Sequence, residues 1–535
     1  MVWTRFASRR CATSTLLVVA TCLAGAAGCA DDGGSADAET SGTEGESGDT
    51  GLEPTLPPLD APPPSTADRR FEPVTVMAED PTDLDPRVPA ERDMLLAMGY
   101  GDSQEVAGDT VVERTLDGSP APTPGANRQR LTRFIHLADA QLADDESPAR
   151  VVAVDSPGAI SGAYRPQESY ACHALASVVR TINAYDAEDP YDFVVLGGDN
   201  ADNAQLNEHT WFRDILDGGV EVHCDSGDDD DPVAGPNNDP KDALVSEGLR
   251  PAWRWVTGNH DILVQGNFPV APRQSEALGS EASSGTRDWS MPGGPMVTGT
   301  VVADEMRRLL TEPEVIDFVR ATGDGHGLSQ ATSDYGKAEY VFDAGENVRV
   351  IVISTAAATG AATGVYRQAQ VDDFLRNALD EAEADGMWVI IASHHGYNSI
   401  EDGSGLGGNT VADALTADQF ASLLGEYANV LMHLAAHSHV HTATVIAPSS
   451  GNPYWELKTA AIADHPHQFR QLEVWDEDNG YVSVHGLALD YVRDDDPLAA
   501  EHYRQGVMDL SSGWNSDPGV GTAADRNVRL YVPKF

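Results

Sequence analysis

Five short segments, each closing an apolar run, carry side chains of the kind that bind metal ions. They are Asp139-Ala140-Gln141, Gly198-Asp199-Asn200-Ala201-Asp202, Gly258-Asn259-His260-Asp261, Ser393-His394-His395 and Ala436-His437-Ser438-His439. Groups so far apart in sequence share one site only where the loops after several strands gather at one edge of a sheet. Two divalent ions about 3.5–4 Å apart need a carboxylate that touches both, with imidazoles and neutral oxygens completing each shell. Asp199 is the natural bridge, placed by the tight Gly197-Gly198 turn. His437 and His439 lie two apart, so both serve only if the chain kinks or the ions lie on two sides. A dinuclear centre meets that condition.

The pattern of elements agrees. Apolar strands are expected over Thr132–Ala138, Phe193–Gly197, Trp253–Thr257, Val348–Ser354, Trp388–Ala392 and Val430–Leu434. Helices are expected over Ala90–Tyr100, Cys172–Tyr185 and Gln370–Ala384, and another opens at Thr416 with a capping box closed by Gln419. Three further strands, Tyr454–Ala460, Phe469–Trp475 and Tyr481–Leu487, read as antiparallel, the last two joined through Asn479-Gly480. Alternating strands and helices followed by a run of strands predict stacked sheets with helices outside. Two segments look inserted: the acidic stretch 222–239 and the Gly-, Ser- and Pro-rich stretch 268–301. Both follow ligand loops and are expected at the mouth of the site.

The chain has 535 residues, 41% of them hydrophobic, enough for a large core. Its formal net charge of -51 repels nucleic acid and anionic headgroups, so neither is expected as a partner. Phosphate chemistry on so negative a molecule needs a local positive centre, which bound metal ions supply.

Residues 1–28 read as an export signal: Arg5, Arg9 and Arg10 precede an apolar Leu16–Ala27 too short to span a bilayer as a permanent helix. Ala26-Ala27-Gly28-Cys29 is similar to a bacterial lipobox, which makes Cys29 the expected lipid anchor and the cell envelope, periplasmic or surface-exposed, the expected location. Residues 29–68 are acidic and then proline-rich, and read as a disordered tether, with the catalytic domain over 69–535. Once the signal is removed and Cys29 lipidated, Cys172 and Cys224 remain, as one disulfide or two thiols.

The five segments in this order resemble the calcineurin-like metallophosphoesterase superfamily, whose pattern is D-x-H, G-D-x-x-D, G-N-H-D/E, a His after a strand, and G-H-x-H. The resemblance covers about Arg133 to His441, and the Asp139-to-Pro148 and Gly198-to-Asn203 stretches look like an exported bacterial subgroup. It implies a four-layer α/β/β/α sandwich of two mixed sheets flanked by helices. It also implies two divalent metal ions, whether Mn, Fe, Zn or Mg. Asp139, Gln141, Asp199 and His439 would hold the first; Asp199, Asn259, His394 and His437 the second. A hydroxide bridging them would attack the phosphorus of a phosphomonoester or phosphodiester. His260 would protonate the leaving oxygen, and Asp261 would support His260. This chain departs from the pattern at Gln141, where His is usual, and at Ala436, where Gly is usual. An amide oxygen is a harder ligand than imidazole and favours Mn²⁺, Mg²⁺ or Fe²⁺ over Zn²⁺ there.

Other readings stand beside these. Asp202 reads as a helix cap, His395 as an alternative to His394, and His433 and His136 as core histidines. His441, His465 and His467 lie near the mouth without motif support. Arg165 and His326 read as structural, with a contact to substrate phosphate as the alternative. The Asp225-to-Asp231 run reads as a solvated loop, with Ca²⁺ binding as the alternative. The competing function is a non-catalytic surface lipoprotein that keeps the scaffold for binding. The expected state is a monomer.

Overall fold

The computed structural model describes residues 52–76, 83–158, 162–515 and 518–535. The signal segment, Cys29 and the acidic part of the expected tether lie outside these residues.

Two mixed sheets organise the chain. One has seven strands in the order Val112–Thr115, Val528–Pro533, Tyr481–Asp490, Gln468–Asp476, Gln129–Leu137, Phe193–Leu196 and Trp253–Arg254. The other has six, in the order Tyr340–Asp343, Val348–Val352, Trp388–Ala392, Val430–Ala435, Tyr454–Lys458 and Thr442–Ile446. Strand alternation divides the buried side chains of the six-stranded sheet between two clusters. Val350, Val352, Ile390 and Met432 point into the core shared with Phe134, Val194 and Leu472 of the other sheet. Ile351, Val389, Ile391 and Val430 point the other way, onto Leu375, Leu379, Phe420 and Leu424 of the helices Arg376–Ala384 and Ala417–Gly425 and the π-turn Val371–Leu375. On the far side, Leu175, Val178 and Ile182 of helix Ala171–Glu188 and Phe212 and Ile215 of helix Leu206–Asp217 join the first cluster. The expected layering of helices, two mixed sheets and helices is therefore observed.

The capping box at Thr416 is formed as expected. Thr416 N–H donates to Gln419 Oε1 at 2.8 Å, and Gln419 N–H to Thr416 Oγ1 at 3.3 Å. Three C-terminal elements carry no clear sequence signal: the strand Thr442–Ile446, the helix Pro497–Ser511 and the strand Val528–Pro533. The stretch 268–301 is more regular than expected, because Glu281–Arg287 and Met296–Thr300 pair as an antiparallel hairpin.

The proline-rich stretch from Leu52 to Asp68 is not the free tether expected there. Leu52 N–H donates to Gly219 O, Thr55 N–H to Val245 O, Tyr185 Oη to Pro63 O and the buried Thr66 hydroxyl to Ala488 O. Proline lacks a backbone donor, so such a strap docks through its carbonyls and the few remaining N–H groups. Cys172 and Cys224 form a disulfide that ties the start of the Ala171–Glu188 helix to the acidic insertion. No helix among the described residues is long and apolar enough to cross a membrane.

Candidate metal centre

All five expected ligand segments follow the C-terminal ends of strands, and each of those strands runs parallel to a neighbour that also carries one. The loops are then laced to one another. Asp139 N–H donates to Gly198 O, Gln141 N–H to Asp199 O, Ala436 N–H to His394 O and Ala463 N–H to Asp139 O. The lacing crosses from one sheet to the other, so groups some 300 positions apart occupy one buried spot.

The donor atoms converge. An oxygen of Asp139, an oxygen of Asp199 and a ring nitrogen of His394 lie within 4.8 Å of one another. His394 Nε2 is 3.1 Å from Asp199 Oδ2, and His437 Nδ1 is 3.2 Å from His394 Nε2. His439 Nε2 is 3.4 Å from Asp139 Oδ1. Two of these imidazoles are aimed by their other nitrogen: His394 Nδ1 bonds Gly197 O at 2.8 Å and His439 Nδ1 bonds Asp464 Oδ2 at 2.6 Å. Anchoring of this kind fixes the tautomer and turns the free nitrogen toward a metal. Asn259 Nδ2 donates to Gly266 O, which leaves its Oδ1 buried with no partner, and Gln141 Oε1 is buried with no partner too. A buried orphan of this kind costs about 1–3 kcal/mol.

Strain marks the same residues. Asp139, Gln141, Asp199, His437 and His439 all adopt positive φ, between 43° and 67°. Left-handed backbone outside glycine costs of order 1–3 kcal/mol per residue and persists where the surroundings over-determine it. Five instances on five expected ligands, beside two orphaned acceptors, are what a site built to face cations requires. The glycines of the motifs are needed for close approach. A Cβ on Gly258 would stand 2.1 Å from Asp199 Oδ1, and one on Gly198, at φ +86°, would stand 2.8 Å from His394 Nδ1. The residues present therefore fit bound divalent metal ions.

The charge balance points the same way. Burial lowers the His439 pKa, but Asp139 and Asp464 outweigh it and raise the group to about 10. His394 rises to about 9, burial again opposing and Asp199 raising. His437, by contrast, is held well below its usual range by burial and by the neighbouring His395 and His394.

Two assignments change. Asp261 does not reach the His260 ring. Its carboxylate accepts the backbone N–H groups of Asp199, Asn200, Ala201 and Gly258 at 2.7–3.1 Å. A carboxylate is the group that can gather so many donors in one turn, so Asp261 builds the loop that presents Asp199. The residue beside His260 is Asp202: His260 Nδ1 lies 2.9 Å from its main-chain oxygen and 3.0 Å from Oδ1. Asp202 is not the helix cap expected from sequence: the following helix, Leu206–Asp217, has Gln205 at its N-cap and no side-chain cap bond. His395 is the other choice resolved by geometry. Its Nδ1 bonds Thr355 Oγ1 at 2.8 Å and its Nε2 bonds Ala362 O at 2.9 Å, leaving no nitrogen free.

Sequence reasoning missed Asp464, which lies outside every motif. Its one signal is position, just past the strand Tyr454–Lys458 on the same sheet edge. Arg165 sits beside it, Nε donating to Asp464 Oδ1 at 2.9 Å. His433 bonds Glu456 at 3.0 Å and Ser393 Oγ at 2.8 Å, a fully buried Ser–His–Glu chain that joins the residue before His394. His136 bonds Thr459, His441 bonds Gln468, His467 bonds Ile462 O, and His326 stacks on Trp253. His465 packs against His467 and Tyr503. Just past the acidic insertion, the Lys241 ammonium lies 2.9 Å from Asp145, 3.0 Å from Glu146 and 3.4 Å from Asp225 of the insertion, standing where a bound cation would.

Gln141→His is expected to fold normally and to tighten metal at the Asp139–His439 side by about tenfold, imidazole being the stronger ligand for late divalent ions. Mn²⁺ and Zn²⁺ titration calorimetry reads this. An unfolded variant, or one with unchanged affinity for both ions, removes Gln141 from that position.

No protein-family model matches this sequence, and no curated protein matches it. Among solved structures, the chain is similar to a dimetal phosphatase from Danio rerio, at 13% identity and a TM-score of 0.35, with 68% of this chain and 100% of that chain covered. It is also similar to the sulfate thiohydrolase SoxB of Thermus thermophilus, solved in complex with glycerol, at 12% identity and a TM-score of 0.30. There 74% of this chain and 61% of that chain are covered.

Proposed function

We propose that the chain is a metal-dependent hydrolase of a phosphomonoester or phosphodiester. The observation that carries this reading is the convergence of Asp139, Asp199, His394, His437 and His439, with the orphaned oxygens of Gln141 and Asn259 among them. When bound, two divalent ions supply Lewis acidity at the phosphoryl oxygens and lower the pKa of a water nucleophile.

The protein groups do the rest. Asp199 would be shared by the ions: its Oδ1 is held by the His260 N–H at 2.8 Å, and its Oδ2 faces His394 Nε2 at 3.1 Å. His260 places Nδ1 on Asp202 and leaves Nε2 toward the centre, 3.9 Å from Asp199 Oδ2. Burial lowers the His260 pKa, yet Asp199 and Asp202 outweigh it and the net shift is upward, which favours an imidazolium able to protonate a leaving oxygen. Asp139, Asn259 and the histidines would fix the metal positions and, through them, the phosphoryl group, so orientation would be built in before substrate arrives.

Export and lipid attachment at Cys29 are part of the same proposal. They rest on the sequence of residues 1–29, and the Cys172–Cys224 disulfide supports an oxidising compartment. The test is direct. Purified protein is expected to carry close to two metal ions by mass spectrometry and to cleave a nitrophenyl phosphate ester with Mn²⁺ present. Chelation should remove both metal and turnover. One ion or none, with no turnover across Mn²⁺, Mg²⁺, Fe²⁺ and Zn²⁺, would replace the enzyme with a binding scaffold.

A further inference from the structure

One guanidinium links the two halves of the candidate centre. Arg165 is buried at 7% exposure in a loop that sequence reading leaves as structural. Its Nε donates to Asp464 Oδ1 at 2.9 Å, and the other oxygen of Asp464 bonds His439 Nδ1 at 2.6 Å. Its Nη1 lies 3.9 Å from Asp202 Oδ1, and that same oxygen is 3.0 Å from His260 Nδ1. Thus Asp464 stands between Arg165 and an expected metal ligand, and Asp202 stands between Arg165 and the expected proton donor.

The loop that carries Arg165 is itself held rigidly. Arg165 N–H donates to Glu168 Oε2 at 3.1 Å, and Glu168 forms a two-pronged pair with Arg150, both contacts at 2.7 Å. Gln167 Nε2 donates to Ala463 O at 3.0 Å, which pins the loop to the residue before Asp464. A planar guanidinium has donors in fixed directions and serves two carboxylates at once, whereas an ammonium is a point charge on a flexible stem.

We infer that Arg165 is a positioning residue that sets His439 through Asp464 and His260 through Asp202, so that the metal side and the proton-donating side of the centre are aligned by one side chain. This rests on the phosphoesterase reading above. Residues that orient ligands from behind are worth 10–100-fold in metal affinity or activity, and that is the effect expected here.

The experiment compares wild type, Arg165→Ala and Arg165→Lys by two readouts. The first is Mn²⁺ affinity by calorimetry, which needs no turnover. The second is kcat and KM on phosphate esters of graded leaving-group basicity, from nitrophenyl to alkyl. Arg165→Ala is expected to bind Mn²⁺ about 10-fold more weakly. It should lose about 10–100-fold in kcat on alkyl esters, less on nitrophenyl esters that need no proton, with KM little changed. Free guanidinium should restore part of the loss, and Arg165→Lys should fall between. In an Arg165→Ala/Asp202→Asn double variant the alkyl-ester losses should not multiply, since one acts through the other.

Equal losses on every ester, multiplying losses, unchanged Mn²⁺ affinity or an effect confined to KM would each overturn the inference. The last would make Arg165 a substrate contact. If Arg165→Ala does not fold, the same comparison on Arg165→Lys decides. Wild-type protein inactive on every ester with metal bound would sink the phosphoesterase reading and this inference with it. Active wild type with uniformly affected variants would sink only the role of Arg165.

Discussion

Asp199→Asn is expected to lower turnover on the order of 10³-fold or more, about 4 kcal/mol of transition-state stabilisation. The reason is geometric as well as electrostatic. Asp199 Oδ1 accepts the His260 N–H at 2.8 Å while Oδ2 faces His394 Nε2 at 3.1 Å. An amide has one acceptor oxygen. Whichever way it turns, it either points a donor at the metal position or abandons the His260 backbone. It also removes the negative charge that two cations would share. The measurement is kcat together with bound metal, with thermal unfolding as the check that the 198–202 loop survives. Since Asp261 holds that loop through four backbone N–H groups, folding is expected to be retained. Near-normal turnover would remove Asp199 from the bridging position.

His260→Ala is expected to reduce the rate by about 10²–10⁴, the usual contribution of one general acid, while metal content stays intact. The two effects separate because His260 stands off from the donor cluster. Its Nε2 is 3.9 Å from Asp199 Oδ2, and its Nδ1 is engaged by Asp202. The loss should be greatest on esters with basic leaving groups, which cannot depart without a proton. Loss of bound metal in this variant would make His260 a ligand instead, and equal loss on all esters would take the proton-donating role from it.

Much of the fold was legible because burial writes periodicity into sequence. The strand Trp388–Ala392 is observed as expected, and the cap at Thr416 is satisfied on both sides. The C-terminal helix Pro497–Ser511 was not, since Gly506 and several buried polar residues, His502, Gln505 and Asp509, break its apolar face. Proline-rich 52–68 was read as unattached because composition does not disclose carbonyls that dock on Arg180 and neighbouring groups.

The site divides in the same way. Which residue types would face the ions could be read directly, because ligand chemistry restricts the choice to carboxylate, amide and imidazole at strand ends, and glycine to the places where a Cβ would strike Asp199 or His394. What stands behind those ligands could not. Whether Asp202 or Asp261 serves His260, whether His394 or His395 faces inward, and that Asp464 and Arg165 belong at all, depend on directions in space between segments up to some 300 residues apart. Sequence by itself determined which donor groups converge at the candidate centre, since only a few side-chain types offer that chemistry. Tertiary structure alone decided the supporting partners, since many side chains can donate or accept a hydrogen bond and only position selects among them.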